Sequence, residues 1–391
     1  MIKKREQRIK QVIIIGGFVQ ALGLARQAKQ CGAKVILFNE DQYSITRYSK
    51  TVDEFVMFDS IDKLRYCLDK YVNINTLLVP TSDDYIDQIV SDYEYYASRF
   101  VVGLPSKQCV QLFGDKTNSY QFAEVNSIPH PKSWYVRELG GGNFDAVCYP
   151  VIIKPSVMHS FNKRFHKKAI LCETRAILEK ELRAIGDEYP KDQIIIQEYL
   201  DGGAKSLYSY GVFAVDGIPR AWVMANRIRQ RPMDFGKSTT FAITCNIPRI
   251  EELARKILNL THYTGLAEIE FMYDYRTEDY KFLEVNTRAW KWHNISTGLG
   301  FGFLSEMIHY YNKEKSDFRP EEKRIVWVEH TMDFAVILKE MMKGRMKWSE
   351  VVRSYRTRKV CAVWSIKDPL PAFANIAIPL WLLIKKRIKP K

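Results

Sequence analysis

The chain has 391 residues, of which 46% are hydrophobic, and a formal net charge of +14 at pH 7. This composition is typical of a globular protein with two or three packed subdomains, and it excludes long disorder. Its seven cysteines include no CxxC pair, and its basic first ten residues lead into a glycine turn without a cleavage site. We therefore expect a cytoplasmic protein with reduced thiols.

The first hundred residues alternate strands with helices. The apolar run at residues 11–15, a Gly-Gly turn, a helical pattern and a second strand at residues 34–38 predict a βαβ opening. It lacks the full GxGxxG spacing, so a tight dinucleotide site is not expected. Another strand, residues 77–80, is followed by Ser82 and Asp83. These two side chains either face the crevice where α/β sheets bind ligands or simply cap a helix.

A lysine ends the next apolar strand pattern. Lys154 closes the run at residues 149–155, and a lysine buried there needs an anion as its partner. The stretch that follows, residues 159–168 (HSFNKRFHKK), contains no glycine and is strongly basic. Residues 193–200 then predict another strand, which Asp201-Gly-Gly breaks.

Three arginines follow a predicted hairpin. The hairpin has an Asp216-Gly217 turn, and Arg227, Arg229 and Arg231 alternate after it. On an extended chain these three side chains share one face, where they repel one another unless an anion joins them. A phosphate is the candidate anion, and a solvated edge strand is the alternative.

Two further apolar strands, joined by an acidic turn, carry candidate metal ligands. The first strand contains Glu268 and Glu270. The second places Glu284, Asn286 and Arg288 two positions apart, so a strand presents all three on one face. A carboxylate, an amide and a guanidinium on one face suit a hard cation that bridges phosphates. A hairpin with a solvated acidic face is the alternative.

The order of these motifs resembles the ATP-grasp superfamily of carboxylate–amine ligases, including the domain found in carbamoyl-phosphate synthase. Five partial motifs between Gly114 and His293 carry the resemblance: the Asp-Lys helix start, Lys-Pro, Gln-Glu-Tyr-Leu, the acidic strand and Glu-x-Asn-x-Arg. The implied nucleotide contacts are Lys116, Lys154, Lys168, Gln197, Glu198, Tyr199 and Leu200. The implied metal ligands are Glu270, Glu284 and Asn286, and the implied catalytic residues are Arg229 and Arg288.

The lid of the nucleotide site departs from the superfamily pattern. That lid is usually rich in glycine, so that backbone N–H groups can approach phosphates. Here we expect Lys163, Arg164, Lys167 and Lys168 to replace part of those backbone donors.

The resemblance implies an α/β fold in three parts. Residues 1–110 are expected to form a Rossmann-like pre-ATP-grasp domain. Residues 111–312 are expected to form a two-lobed α+β ATP-grasp domain, with a lid subdomain at about 132–200. Residues 313–391 are expected to form a C-terminal helical extension with a basic amphipathic tail.

The tail holds most of the surplus positive charge. Residues 339–391 contain fourteen Lys/Arg against three Asp/Glu, a surplus of eleven. A surplus confined to one end argues for a surface-binding tail and against a nucleic-acid partner. Residues 376–384 are apolar but too few to span a bilayer, and a basic cluster follows them. An anionic membrane on the inner face of the cell is the candidate partner, and packing on the chain's own core is the alternative.

The predicted function is ATP-dependent ligation of a small-molecule carboxylate to an amine through an acyl phosphate, with Mg²⁺ (or Mn²⁺) as the metal. Cell-surface polysaccharide or peptidoglycan-related metabolism is the expected setting, and the substrates and the oligomeric state stay open. The alternative is a catalytically inactive, membrane-associated nucleotide-binding regulator or assembly factor. Retention of Glu284, Asn286 and Arg288 together argues against it. Carbamoyl-phosphate formation is a third option, but the chain is too short for the duplicated large subunit of that enzyme.

Overall fold

The computed structural model of the chain describes residues 8–139, 144–156, 169–186, 189–236 and 238–388. Within these residues the strands form three sheets, of five, four and seven strands. The mixed α/β architecture, with a parallel sheet first, confirms the predicted fold class.

The N-terminal unit is a parallel sheet in the order β3-β2-β1-β4-β5. Its strands are β1 (Gln11–Ile15), β2 (Lys34–Asn39), β3 (Glu54–Met57), β4 (Thr76–Pro80) and β5 (Val101–Val102). Its helices are α1 (Val19–Gln30), α2 (Leu64–Asp69), α3 (Asp83–Ser91) and α4 (Tyr93–Ala97). The central β1 is almost entirely buried because both faces of the sheet are covered, which explains its unbroken apolar run.

A smaller antiparallel sheet, in the order β6-β9-β7-β8, follows two short helices. The helices are α5 (Lys107–Gly114) and α6 (Lys116–Val125), and α7 (Arg175–Ile185) accompanies the sheet. The strands are β6 (Ser133–Tyr135), β7 (Val151–Pro155), β8 (Ile170–Cys172) and β9 (Ile194–Glu198). Asp115 caps α6 by accepting a hydrogen bond from the backbone N–H of Thr117, which fixes Lys116 at the first helical position.

The largest sheet has the order β14-β13-β10-β11-β12-β15-β16. Its longer strands are β10 (Leu207–Val215), β11 (Ile218–Arg231), β12 (Ser238–Cys245), β13 (Gly265–Asp274) and β14 (Asp279–Asn286). Helices α8 (Pro248–Leu260) and α9 (Phe303–Asn312) pack against it. Asp216 and Gly217 both adopt positive φ, 47° and 75°, as a two-residue hairpin turn of the predicted Asp-Gly type requires.

The C-terminal extension is less purely helical than expected. It contains α10 (His330–Met342), α11 (Trp348–Ser354) and α12 (Leu370–Ile388). It also contributes β15 (Val326–Val328) and β16 (Lys359–Cys361), which lengthen the large sheet. Strands of three residues are too short to show a period-2 pattern, so neither strand was predicted.

The extension also folds back onto the N-terminal unit. The buried carboxylate of Asp368 pairs with Arg26 at 2.9 Å and accepts a hydrogen bond from Ser49. Within α12, which begins two residues after Asp368, the ring of Trp381 lies 5.3 Å from that of Tyr43. One side of α12 therefore packs on the body of the protein. No described helix combines the length and the apolar content that a bilayer crossing requires.

Candidate active site

Two clefts meet at the β13–β14 hairpin. The first cleft lies between the small sheet and the large sheet, and Lys154, Tyr199 and Leu283 are among its lining residues. The second cleft lies between α3 and the loop after β14, and Asp83 and Arg288 line it. Four charged side chains line both clefts: Lys116, Arg227, Glu270 and Glu284. A molecule in one cleft can therefore react with a molecule in the other at this junction.

The carboxylates at the junction face each other across the hairpin. Glu270 stands opposite Glu284, and Glu268 stands opposite Asn286. The Asn286 amide nitrogen donates to Glu268 Oε2 at 3.0 Å and to Glu270 Oε1 at 2.9 Å. Like charges directly opposite each other in a sheet are destabilising, so this arrangement requires cations. The predicted common face of the strand residues is present.

Two cations, the buried Arg227 and the partly exposed Lys116, balance these carboxylates. Lys116 Nζ lies 2.8 Å from Glu284 Oε2, and Arg227 Nη2 lies 2.9 Å from Glu268 Oε1 and also contacts Glu270. Burial alone would lower the pKa of Arg227, but the Glu268 and Glu270 carboxylates outweigh burial and raise it. Burial is likewise outweighed at Lys116, whose pKa Glu284 raises. Both side chains stay positively charged at neutral pH.

The three glutamates differ in how they are held. Glu268 accepts hydrogen bonds from Arg227, Asn286 and the Trp292 indole N–H, the last at 2.8 Å. Glu268 therefore orients its neighbours, whereas Glu270 and Glu284 line both clefts.

A divalent cation of the hard type fits this donor set. Glu270, Glu284 and Asn286 offer only oxygen atoms for coordination, as Mg²⁺ prefers. An anion also fits beside them, because the Nε of Arg227 is buried and has no hydrogen-bond partner among the described residues. A phosphate oxygen would satisfy that donor. The residues present thus suit a metal ion together with a phosphate chain.

Arg288 lies beyond the end of β14, not on the strand as the sequence predicted, and it lines the second cleft. Its Nε donates to Asp83 Oδ1 at 2.8 Å and its Nη2 to Asp83 Oδ2 at 3.3 Å. Asp83 is the first residue of α3, and the side chain of Ser82 forms no cap hydrogen bond. Ser82 and Asp83 were expected either to face the crevice or to cap a helix, and Asp83 faces the crevice.

Lys154 lies at the end of β7 and is buried, as predicted. Its Nζ donates to the hydroxyl of Tyr120 at 2.7 Å, and that hydroxyl donates to the Leu283 carbonyl at 2.8 Å. Tyr120 was not singled out from the sequence. Its spacing of four residues from Lys116 on α6 was the available signal, because residues four apart share a helix face.

Residues Gln197 to Leu200 line the first cleft at the end of β9. Gln197 Nε2 donates to Ser133 Oγ at 2.8 Å. The Glu198 carboxylate is held by Arg276 at 2.6 Å and by Lys281 at 2.8 Å. This carboxylate therefore anchors the connection between the two sheets.

The position of Arg229 corrects the prediction that it is catalytic. It lines neither cleft, and it forms a bidentate pair with the fully buried Asp333 at 2.8 and 2.7 Å. Its guanidinium also lies 3.9 Å from the centre of the Phe241 ring. The cause is a register shift in β11 between Arg227 and Arg229, which turns consecutive arginines to opposite faces. Arg227 is the arginine at the junction.

The basic lid lies outside the described residues. Lys168, with Lys163, Arg164 and Lys167, falls in residues 157–168. Their predicted phosphate contacts stay predictions.

Comparison with known proteins agrees with this geometry. Residues 143–308 match the family model described as carbamoyl-phosphate synthase L chain, ATP binding domain. The chain is similar to the D-aspartate ligase of Enterococcus faecium (strain Aus0004), with 25% identity over 298 residues, covering 71% of this chain and 70% of that protein.

Solved structures show the same fold at lower identity. The N5-carboxyaminoimidazole synthetase of Staphylococcus aureus matches with a TM-score of 0.66 and 16% identity, covering 88% of this chain and 89% of that one. The biotin carboxylase domain of Hydrogenobacter thermophilus 2-oxoglutarate carboxylase, in complex with MgADP, matches with a TM-score of 0.64 and 15% identity. That match covers 80% of this chain and 71% of that one.

The fold and these matches confirm the predicted resemblance to ATP-grasp proteins. By sequence, the family match extends over residues 143–308, and the solved structures share the fold of most of the chain. The relative is a ligase, and two of the solved structures with this fold contain ADP, one of them as its magnesium salt.

Proposed function

We propose that the protein joins a carboxylate to an amine by way of an acyl phosphate, converting ATP to ADP and phosphate. The observation that carries this proposal is the meeting of two clefts at one charged centre. Lys116, Arg227, Glu270 and Glu284 line both of them. A mere nucleotide-binding protein has no need of a second cleft that opens on the phosphate end of the first.

The residues of the first cleft suit a nucleotide. Main-chain atoms of residues 198–200 would contact the base, and Lys154, Lys116 and Arg227 would neutralise the phosphates. Glu270, Glu284 and Asn286 would hold one or two Mg²⁺ ions. A bound metal would supply further neutralisation of phosphate charge and fix the orientation of the phosphates.

The chemistry requires no side-chain nucleophile. A carboxylate oxygen of the acid attacks the γ-phosphorus, ADP departs, and an acyl phosphate forms. The amine nitrogen then attacks the acyl carbon, phosphate departs, and the nitrogen loses a proton to give the amide. Arg288 faces the second cleft, where its guanidinium would hold the acid and offset the charge that develops on the transferred group.

The relatives indicate the kind of substrate. Similarity to a D-aspartate ligase supports an amino acid as one reactant, and it supports the setting of cell-surface polysaccharide or peptidoglycan-related metabolism.

The direct test of the ligase proposal is ADP release from Mg-ATP in the presence of panels of acids and amines. We expect one acid to stimulate ADP release and the matching amine to give an amide by mass spectrometry. ATP binding without stimulation by any acid would contradict the proposal.

Lys154 provides a test of the nucleotide site. Lys154→Met is expected to weaken ATP affinity about 10- to 100-fold, the scale of a lost charged hydrogen bond. A binding titration measures the affinity, and a melting curve reports the fold. Lys256→Met, an exposed lysine on α8 outside the first cleft, is the matched control. A changed melting temperature with unchanged ATP affinity would make Lys154 a structural lysine.

We further infer that α12 attaches the protein to an anionic membrane surface. Exposed apolar side chains lie along one face of this helix at helical spacing: Phe373, Ile376, Leu380, Leu383 and Ile384. Lys385 follows them and lies over the Trp381 ring at 4.8 Å, and four more basic residues follow in the sequence. An apolar face beside a basic cluster suits the interface of an anionic bilayer.

Removal of residues 376–391 is expected to abolish sedimentation with phosphatidylserine vesicles while ATP turnover is unchanged. Each basic residue near such a surface contributes about 1 kcal/mol. Asn375, which donates to Thr331 Oγ1 at 3.1 Å, is retained, so the start of α12 keeps its anchor.

Two controls separate charge from apolar contact. Leu380→Ser with Leu383→Ser keeps every charge and should weaken vesicle binding. High salt should also weaken it, because the Debye length falls to about 3 Å at 1 M. Failure of the intact protein to bind phosphatidylserine vesicles at low salt would reject the membrane proposal and leave the ligase proposal untouched.

A further inference from the structure

A partly exposed lysine in the second cleft has no role in the chemistry described above. Lys291 lies in the loop after β14 and lines the cleft together with Arg288 and Ser238. Its side chain is only 17% exposed. Its Nζ donates to Ser238 Oγ at 2.9 Å and lies 3.4 Å from Met332 Sδ.

The charge of Lys291 is only partly compensated. The carboxylate that pairs with it, Glu329, approaches Nζ to 3.7 Å, which is beyond hydrogen-bond distance. That carboxylate also caps α10, where its Oε2 accepts a hydrogen bond from the Met332 N–H at 3.1 Å. Burial lowers the pKa of Lys291, and Glu329 only partly opposes this effect. A largely desolvated ammonium held mainly by a hydroxyl and a thioether favours an anion as a further partner.

The part of the second cleft around Lys291 differs in charge from the side formed by α3. Asp84 and Asp87 stand with Asp83 on the α3 side, and Lys291 and Arg288 stand on the side of the β14 loop. An anionic group of a bound molecule is repelled by α3 and attracted to Lys291. The polarity of the cleft thus fixes the end at which such a group would lie.

We propose that Lys291, assisted by Ser238, binds a second carboxylate of the acid that is activated at the metal centre. This inference rests on the proposed ligase function and names its substrate class, a dicarboxylic acid. One carboxylate lies at Arg288 and the metal ligands, where it reacts. The other lies at Lys291 and sets specificity without taking part in the reaction.

The test compares acids that differ in the second carboxylate. Aspartate, glutamate and succinate are matched with alanine, 2-aminobutyrate and butyrate, and acid-stimulated ADP release gives kcat/KM for each. The wild-type protein should favour one of the dicarboxylic acids about 10- to 100-fold over its monocarboxylic partner, the range for a charged hydrogen bond. Lys291→Met should remove this preference, mainly through KM, and Lys291→Arg should restore part of it. ATP affinity should be unchanged in both variants.

A binding measurement separates this inference from the ligase proposal. Calorimetric titration of the preferred dicarboxylic acid into protein saturated with a non-hydrolysable Mg-ATP analogue requires no turnover. Weaker binding to Lys291→Met than to wild type supports the inference, and equal binding overturns it. Equal stimulation of ADP release by both members of each acid pair overturns it as well, and the ligase proposal stands. If no acid stimulates ADP release, the ligase proposal fails.

Discussion

Glu284→Gln and Asn286→Ala are each expected to reduce Mg-dependent ATP turnover by about 10²–10³-fold or more, the loss seen when one group that stabilises transition-state charge is removed. Each substitution removes an oxygen ligand or its charge from the junction of the two clefts. Neither side chain belongs to the buried apolar core, so the melting temperature should change little. ADP release at increasing Mg²⁺ concentration measures the effect.

The matched control for these variants is Glu252→Gln. Glu252 is an exposed glutamate of α8 that pairs with Arg249 at 3.0 Å, outside both clefts. Its turnover should equal that of wild type. Turnover within a few-fold of wild type in Glu284→Gln or Asn286→Ala would remove these residues from the metal site.

Arg229→Met is expected to destabilise the fold by about 3–5 kcal/mol, the usual cost of leaving one member of a buried ion pair alone. The Asp333 carboxylate would keep its hydrogen bonds from Thr240 and Tyr355, at 2.8 Å each, but lose its bidentate pair with the arginine. Denaturant unfolding measures the loss. ATP affinity of the folded protein should not change, because Arg229 lines neither cleft.

A double variant distinguishes structure from catalysis at this position. Arg229→Met combined with Asp333→Leu removes both charges and should recover much of the lost stability, since apolar replacements of buried ion pairs are often neutral. A normal unfolding curve with abolished turnover in Arg229→Met would instead make Arg229 catalytic.

The sequence predicted well which polar side chains share a face of the β13–β14 hairpin, because that grouping depends on local periodicity. Side chains alternate along a strand, so Glu284 and Asn286 had to share a side, and the hairpin turn set Glu270 opposite Glu284. The N-terminal parallel sheet was predictable for a similar reason. Its buried strands are continuous apolar runs separated by helical patterns.

Non-local contacts were not predictable in the same way. Arg288 and Asp83 are 205 positions apart, and nothing in either local pattern shows that they pair. The same alternation that grouped Glu284 with Asn286 failed for Arg229, because a register shift in β11 between Arg227 and Arg229 reverses the side on which Arg229 lies. No local pattern distinguished Lys291 either. Its limited exposure, and its pairing with a carboxylate that also caps a helix, arise only when the chain folds.

The most direct test of the proposed chemistry follows oxygen atoms. An acid that stimulates ADP release would be supplied with its carboxylate labelled with ¹⁸O, together with Mg-ATP and the amine, and the released phosphate would be examined by mass spectrometry. An acyl phosphate transfers one labelled oxygen from the acid to phosphate when the amine displaces it, so the account predicts one ¹⁸O atom per phosphate. Amide formation with unlabelled phosphate would contradict the account.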